Sequence, residues 1–148
     1  MRAKSGFTLV EILIVVVILG ILAAIVIPQF TNASTEAKES ALVTDLQTAR
    51  SQIELYKIQH NDVLPLPESG GATWTLMTMY TDIDGATNAT KTTTFCFGPY
   101  LMKLPTNQFN NLSTVGFGTG TPGSDTYGWY LNSTTGAFYA DDPCHSGL

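Results

Sequence analysis

Chemistry-bearing side chains are scarce in this chain. Its 148 residues include two histidines, His60 and His145, and two cysteines, Cys96 and Cys144. None of them falls into a metal-ligand spacing, and no phosphate loop or nucleophile elbow accompanies them. Cys144 and His145 are neighbours in sequence, whereas a catalytic Cys and His normally meet from distant positions. Exposure in a tail is the plainer reading, and an enzyme is disfavoured. Basic residues are few as well: seven Lys and Arg stand against twelve Asp and Glu, for a net charge of −5. Without a basic stripe, general nucleic-acid binding is not expected.

What the chain does have is a long apolar run. A short basic leader, Met1 to Gly6, abuts Phe7, and Phe7–Ile27 carries a single charge, Glu11. At ~1.5 Å per residue this run spans roughly 30 Å as a helix, about one hydrocarbon core. A cleaved secretory signal is the common reading of such an N-terminus, with Arg2 and Lys4 as its basic region and Ala23-Ala24 near its cut. The run is too long for that, and a charge interrupts it. Arg2 and Lys4 place the leader in the cytoplasm and the remainder across the membrane. Gly20 and Ala24 form a small-xxx-small pair that permits close helix approach.

Glu11 has two readings. Thr8 and Glu11 have the S/T-x-x-E spacing of a capping box at a helix start. Alternatively, an ionisable group at bilayer depth marks function and requires a partner. Cleavage before Phe7 would create such a partner, an ammonium beside apolar surroundings where pairing neutralises both groups. The two roles can coexist.

The stretch GFTLVEILIVVVILGILAAIVIPQF resembles the class III prepilin signal and N-terminal helix of type IV pilins and type II secretion pseudopilins. The resemblance implies that a membrane prepilin peptidase cuts between Gly6 and Phe7 and N-methylates Phe7. It implies that Glu11 pairs with the N-terminal amine of a neighbouring copy in a helical homo-oligomeric filament. Its implied partners are the inner-membrane assembly platform and minor pilins or pseudopilins. Its implied location is the bacterial inner membrane, single-pass, with the C-terminal domain in the periplasm, and the periplasm or cell surface once assembled. Loss of the leader with Arg2 and Lys4 takes the side-chain charge from −5 to −7.

The fold expected is α+β and pilin-like: a long N-terminal membrane-spanning helix packed on a small antiparallel sheet. Residues 1–6 form the leader, 7–27 the membrane half of the helix, 28–63 its exported amphipathic half, and 64–148 a small globular domain. Pro28 lacks an N–H and crowds the carbonyl of Ala24, so a kink or local break is expected there. Leu42, Leu46, Ala49, Ile53 and Tyr56 form one apolar stripe at helical spacing, facing the globular domain. Leu64-Pro65-Leu66-Pro67 stops the helix. Thr73–Tyr80 reads as a possible short helix, Asp82–Thr94 as a polar loop, and Phe95–Leu104 as extended. Thr114–Phe117, Thr126–Leu131 and Gly136–Ala140 read as three strands, the last two joined by a hairpin.

On the exported side of an envelope a Cys96–Cys144 disulfide is permitted. It would close a loop of about fifty residues, worth roughly 3–4 kcal/mol in a chain-entropy account. The segments GPYLMKLPTNQFN and GWYLNSTTGAFYADD resemble the tails of major pseudopilins, in which calcium is commonly bound near the last strands. Asp125, Asp141 and Asp142 are the candidate ligands; otherwise no cofactor is expected. The expected function is a subunit of a secretion pseudopilus. A type IV pilin for adhesion, motility or DNA uptake is the alternative, and a membrane-anchored enzyme or receptor is a third reading.

Overall fold

A computed structural model describes residues 6–67 and 74–148. Leader residues 1–5 and Thr73 therefore lie outside the described residues. The chain divides into two compact units, Met1–Ala37 and Lys38–Leu148. One helix, α1 (Leu9–Gln59), contributes to both.

In the first unit, α1 begins at a capping box. The Thr8 N–H and hydroxyl both donate to Glu11 Oε2, at 2.7 and 2.8 Å, and the Glu11 N–H returns to the Thr8 hydroxyl at 3.3 Å. Every large apolar side chain from Phe7 to Phe30 is 42–84% exposed, so none of the described residues covers this face. The local break expected at Pro28 is not present: α1 is helical on both sides of it and through it. The proline costs one backbone donor. Three residues on, the Thr31 hydroxyl donates to the carbonyl of Ile27 at 3.1 Å, tying the turn that contains Pro28.

The second unit is built on the other half of α1. Leu42, Leu46, Ala49, Ile53 and Tyr56, the stripe read from the sequence, are its buried helical residues. The helix ends earlier than the prolines require. Asn61 and Asp62 adopt left-handed φ angles of 54° and 64°, and the Asp62 N–H bonds back to the Lys57 carbonyl at 2.8 Å. Asn is among the residues that tolerate that conformation past a helix end, so the stop is chemical and local.

Beyond it come α2 (Thr75–Thr78), β1 (Tyr80–Thr81), β2 (Thr87–Asn88), β3 (Val115–Gly118), β4 (Trp129–Asn132) and β5 (Phe138–Ala140). Strands β1 and β2 form a two-stranded antiparallel ladder, with β2 inside the Asp82–Thr94 segment expected to be loop and β1 just before it. Phe95–Leu104 is not a strand. Phe97 makes one bridge to Thr81, and the Tyr100 and Leu101 N–H groups both donate to the Met77 carbonyl.

The main sheet has the order β3-β4-β5, and here the antiparallel expectation is corrected. Strand β4 pairs antiparallel with β5 but parallel with β3. A parallel neighbour requires the chain to be carried back to the starting end before it pairs. Residues 119–128 do this, while the hairpin expected between the last two strands joins β4 to β5.

Aromatic stacking fills the core. Phe138 lies between Trp74 and Trp129, with ring centroids 5.4 and 5.7 Å away and nearly parallel planes. Both indoles donate to proline carbonyls, Trp74 to Pro65 and Trp129 to Pro105, which satisfies their only polar group inside the core. Because Asn132 pairs with Ala137 and Asp141 with Gly128, Phe138 falls at an alternate position and its carbonyl points away from β4. Arg50 of α1 donates from Nε and Nη2 to that carbonyl at 3.0 and 2.8 Å, covering the sheet edge.

Candidate functional site

Three places in the fold receive the residues singled out from sequence. The first is the start of α1. The Gly6–Phe7 junction is exposed and precedes the helix, which begins two residues later. Glu11 is thus both an N-terminal cap and the one carboxylate in the Phe7–Ile27 run of a helix long and apolar enough to cross a membrane. Both bonds from Thr8 fall on the same oxygen, Oε2. The backbone nitrogen that Glu11 already accepts from is the one next to Phe7, where a new amine would appear after cleavage.

The second place is the end of β5, where the calcium candidates lie. They do not converge. Asp141 is fully buried, and its carboxylate faces donors of its own chain. Oδ1 accepts from the N–H groups of Gly123 and Ser124 at 2.7 and 3.0 Å. Oδ2 accepts from the Ser124 hydroxyl, the Tyr127 N–H and the Thr126 N–H at 2.8, 3.0 and 3.3 Å. Burial alone would raise this carboxyl, but the donors from Tyr127, Ser124 and Gly123 outweigh it and hold Asp141 below the usual carboxylate range. Asp142 is committed differently. One oxygen takes the His145 N–H and faces His145 Nδ1, while the other accepts from the Asn107 side-chain amide. Asp125 is exposed and uses its backbone N–H, which donates to the Asp141 carbonyl. A calcium ion needs six to eight oxygens around it, and backbone N–H groups cannot ligate it. The carboxylates present do not fit such a cage. Among the described residues no group of three His, Cys, Asp or Glu side chains is set to hold a metal.

The third place is the pair of cysteines, and the expected bridge is corrected. Cys96 and Cys144 are free and exposed. Their neighbours show why. Phe97 packs edge-on to His60, whereas His145 Nε2 lies 3.9 Å from Glu39. Residues 39 and 60 are about 30 Å apart along a helix. The two thiols are therefore held near opposite ends of the packed half of α1, beyond disulfide reach.

The histidines are structural and far from idle. His60 is buried, stacks on Tyr56 at 3.8 Å, and bridges the Tyr56 carbonyl to the Thr81 hydroxyl. His145 stacks on Phe109 at 3.9 Å and contacts Asp142, so the tail is docked and not merely exposed. Sequence reasoning missed Asp141 as a hub and Arg50 as an edge cover. The strand alternation gave no signal for Asp141: with Phe138 and Ala140 buried it predicts an outward side chain at 141, yet Asp141 is fully buried.

The helix opens on an apolar run, and its other half packs within a small sheet domain. Known proteins resemble this chain in sequence. Residues 1–27 match the family described as the prokaryotic N-terminal methylation motif. The chain is 30% identical to the type II secretion system core protein G of Aeromonas hydrophila over 110 residues, covering 74% of this chain and 71% of that protein. It is 40% identical to the core protein G of Vibrio cholerae over 70 residues, 47% of each chain, so the match spans about half the length of that relative. It is also 38% identical to the type IV narrow pilus major component PilA5 of Thermus thermophilus over 84 residues, covering 51% of this chain and 72% of that protein. No solved structure matches. The chain belongs to the pilin and pseudopilin family that contains the type II secretion core protein G.

Proposed function

We propose that the chain is a non-enzymatic structural subunit of a type II secretion pseudopilus, assembling through its N-terminal helix. The carrying observation is the exposed apolar run Phe7–Ile27, whose one carboxylate, Glu11, binds the backbone next to the Gly6–Phe7 junction. In this reading a prepilin peptidase cuts between Gly6 and Phe7, and Phe7 is methylated. The subunit waits in the inner membrane with its C-terminal domain on the periplasmic side. On assembly the Glu11 carboxylate meets the Phe7 amine of a neighbouring copy, on a platform shared with minor pseudopilins.

The packed half of α1 supports helix–helix assembly as well. Opposite the buried stripe, Ser40, Thr44, Thr48, Ser51, Leu55 and Ile58 are exposed and uncharged. The hydroxyls of Thr44, Thr48 and Ser51 donate to carbonyls of their own helix at 2.8–2.9 Å. Their donors are already satisfied, so this face presents carbon to whatever approaches.

Glu11→Ala tests the reading. It leaves the second unit untouched, so the chain should insert and be cleaved normally, with intact mass spectrometry finding a mature chain that starts at Phe7. Filaments seen by electron microscopy should fall by at least about tenfold, because a buried ammonium loses its counter-charge. Glu11→Gln should recover only part of this. Normal filaments from Glu11→Ala would reduce Glu11 to a helix cap. The similarity to the narrow-pilus component keeps a surface pilus as a second reading. Deleting the chain separates the two: loss of protein export indicates the pseudopilus, and loss of surface filaments with export intact indicates the pilus.

A further inference from the structure

We propose that the connector between β3 and β4 is organised by the Asp141 carboxylate as a built-in anion, so that this domain holds its loop without calcium. The inference goes beyond filament assembly and rests on hydrogen-bond geometry alone.

The connector has a specific difficulty. Residues 119–128 carry the chain back so that β4 can lie parallel to β3, and residues 123–127 must be held to the sheet without belonging to it. Their backbone N–H groups need acceptors wherever water is excluded. Asp141 supplies them. Five donors from four consecutive-to-neighbouring residues, Gly123, Ser124, Thr126 and Tyr127, converge on its two oxygens. A carboxylate offers about four lone-pair sites, so this one is saturated. The backbone of Asp141 is committed too: its carbonyl accepts from Asp125 at 2.8 Å, and its N–H donates to Gly128 at 3.2 Å. Gly123 is in the left-handed region at φ 101°, a conformation that other residues rarely adopt, and an added Cβ would press on the Ser146 side chain at 3.2–3.3 Å.

A cation and this ring of donors exclude each other. The hydrogens of Gly123, Ser124 and Tyr127 occupy the positions from which a divalent ion would bind the carboxylate. To admit calcium the connector would have to turn its carbonyls inward and its N–H groups outward, a different loop. A fully buried carboxylate with five donors already has the electrostatic compensation that an ion would supply.

The test uses the full chain in detergent. Thermal unfolding followed by circular dichroism should give the same midpoint, within ~1 °C, in 1 mM calcium and in excess chelator. Isothermal titration with calcium chloride should show no saturable heat. Asp141→Asn keeps the shape but turns an amide donor toward N–H donors, and should lower the midpoint by at least ~5 °C, with no recovery on adding calcium. Asp125→Asn should leave it unchanged, because that side chain is exposed and asparagine accepts the local φ of 58°. If Asp141→Asn does not fold, the calcium titration and Asp125→Asn still decide the matter. A calcium-dependent rise of several degrees in the unaltered chain, reversed by chelator, overturns the proposal. So does an Asp125→Asn midpoint that drops only in the presence of calcium.

Discussion

Glu11 and Asp141 are both carboxylates placed among apolar neighbours, and they are stabilised in opposite ways. Glu11 takes its bonds from Thr8 alone, on the exposed first turn of a helix. Asp141 is enclosed by five donors and is fully buried. Its pH consequence follows from sign. The folded carboxyl is held below its ordinary value, so the unfolded chain takes up the proton first. The stability it contributes is fully present above the unfolded value of about 3.9 and is lost as pH falls through the lower folded value. Urea unfolding of the unaltered chain and of Asp141→Asn, compared from pH 7 down to pH 3, should show a stability difference that is constant above pH 5. The difference should shrink as the solution becomes more acid. A gap that widens on acidification would mean that the buried group is neutral.

At the scale of elements, β4 is the strand on which the domain turns. It pairs with both neighbours, and its entry is crowded. The Gly128 N–H donates to Thr114, while its carbonyl accepts from Asn107 and Asp141. A methyl added at Gly128 would collide with the carbonyl of Leu112 and the nitrogen of Ser113. Those are backbone atoms that cannot swing aside. Gly128→Ala should therefore cost about 1–3 kcal/mol, whereas Gly147→Ala, with open space around it, should stay within about 0.5 kcal/mol. Denaturant unfolding of the two variants side by side checks this, and equal costs would place the constraint elsewhere. Strand positions were legible in the sequence to within about two residues at β3 and β5, because turn residues bound them. Their mutual direction was not, since a parallel pair is set by the path of the connector and by Asp141, which lies 14 to 18 residues from the groups it binds.

For the molecule as a whole, the two units have different needs. The Lys38–Leu148 unit buries its own core, from Leu42 on the helix to Ala140 on β5. In the Met1–Ala37 unit the apolar side chains are exposed along the helix, so lipid or other copies of the chain must cover them. The cysteines report on the arrangement of the second unit. With the purified chain kept free of reductant, a maleimide reagent should label two thiols per chain at native pH, and peptide mapping should find both Cys96 and Cys144 modified. A single cross-linked peptide joining them would require the tail and the Phe97 segment to come together, contrary to this fold.

The sequence by itself determined the features that depend on local order. The apolar span, the capping box at Thr8 and Glu11, and the stripe from Leu42 to Tyr56 are all written at fixed spacings along one helix. Helical geometry converts such spacings directly into faces. Tertiary structure alone decided which distant groups meet. It placed Cys96 and Cys144 near opposite ends of the packed half of a helix that neither belongs to. It turned Arg50 onto the edge of β5, and it drew Asp125, Asp141 and Asp142 into three separate environments. It also closed the donors of residues 123–127 around one carboxylate. Composition can nominate an aspartate as a ligand, but only packing settles whether N–H groups reach its oxygens first, because each buried donor must find an acceptor somewhere in the folded chain.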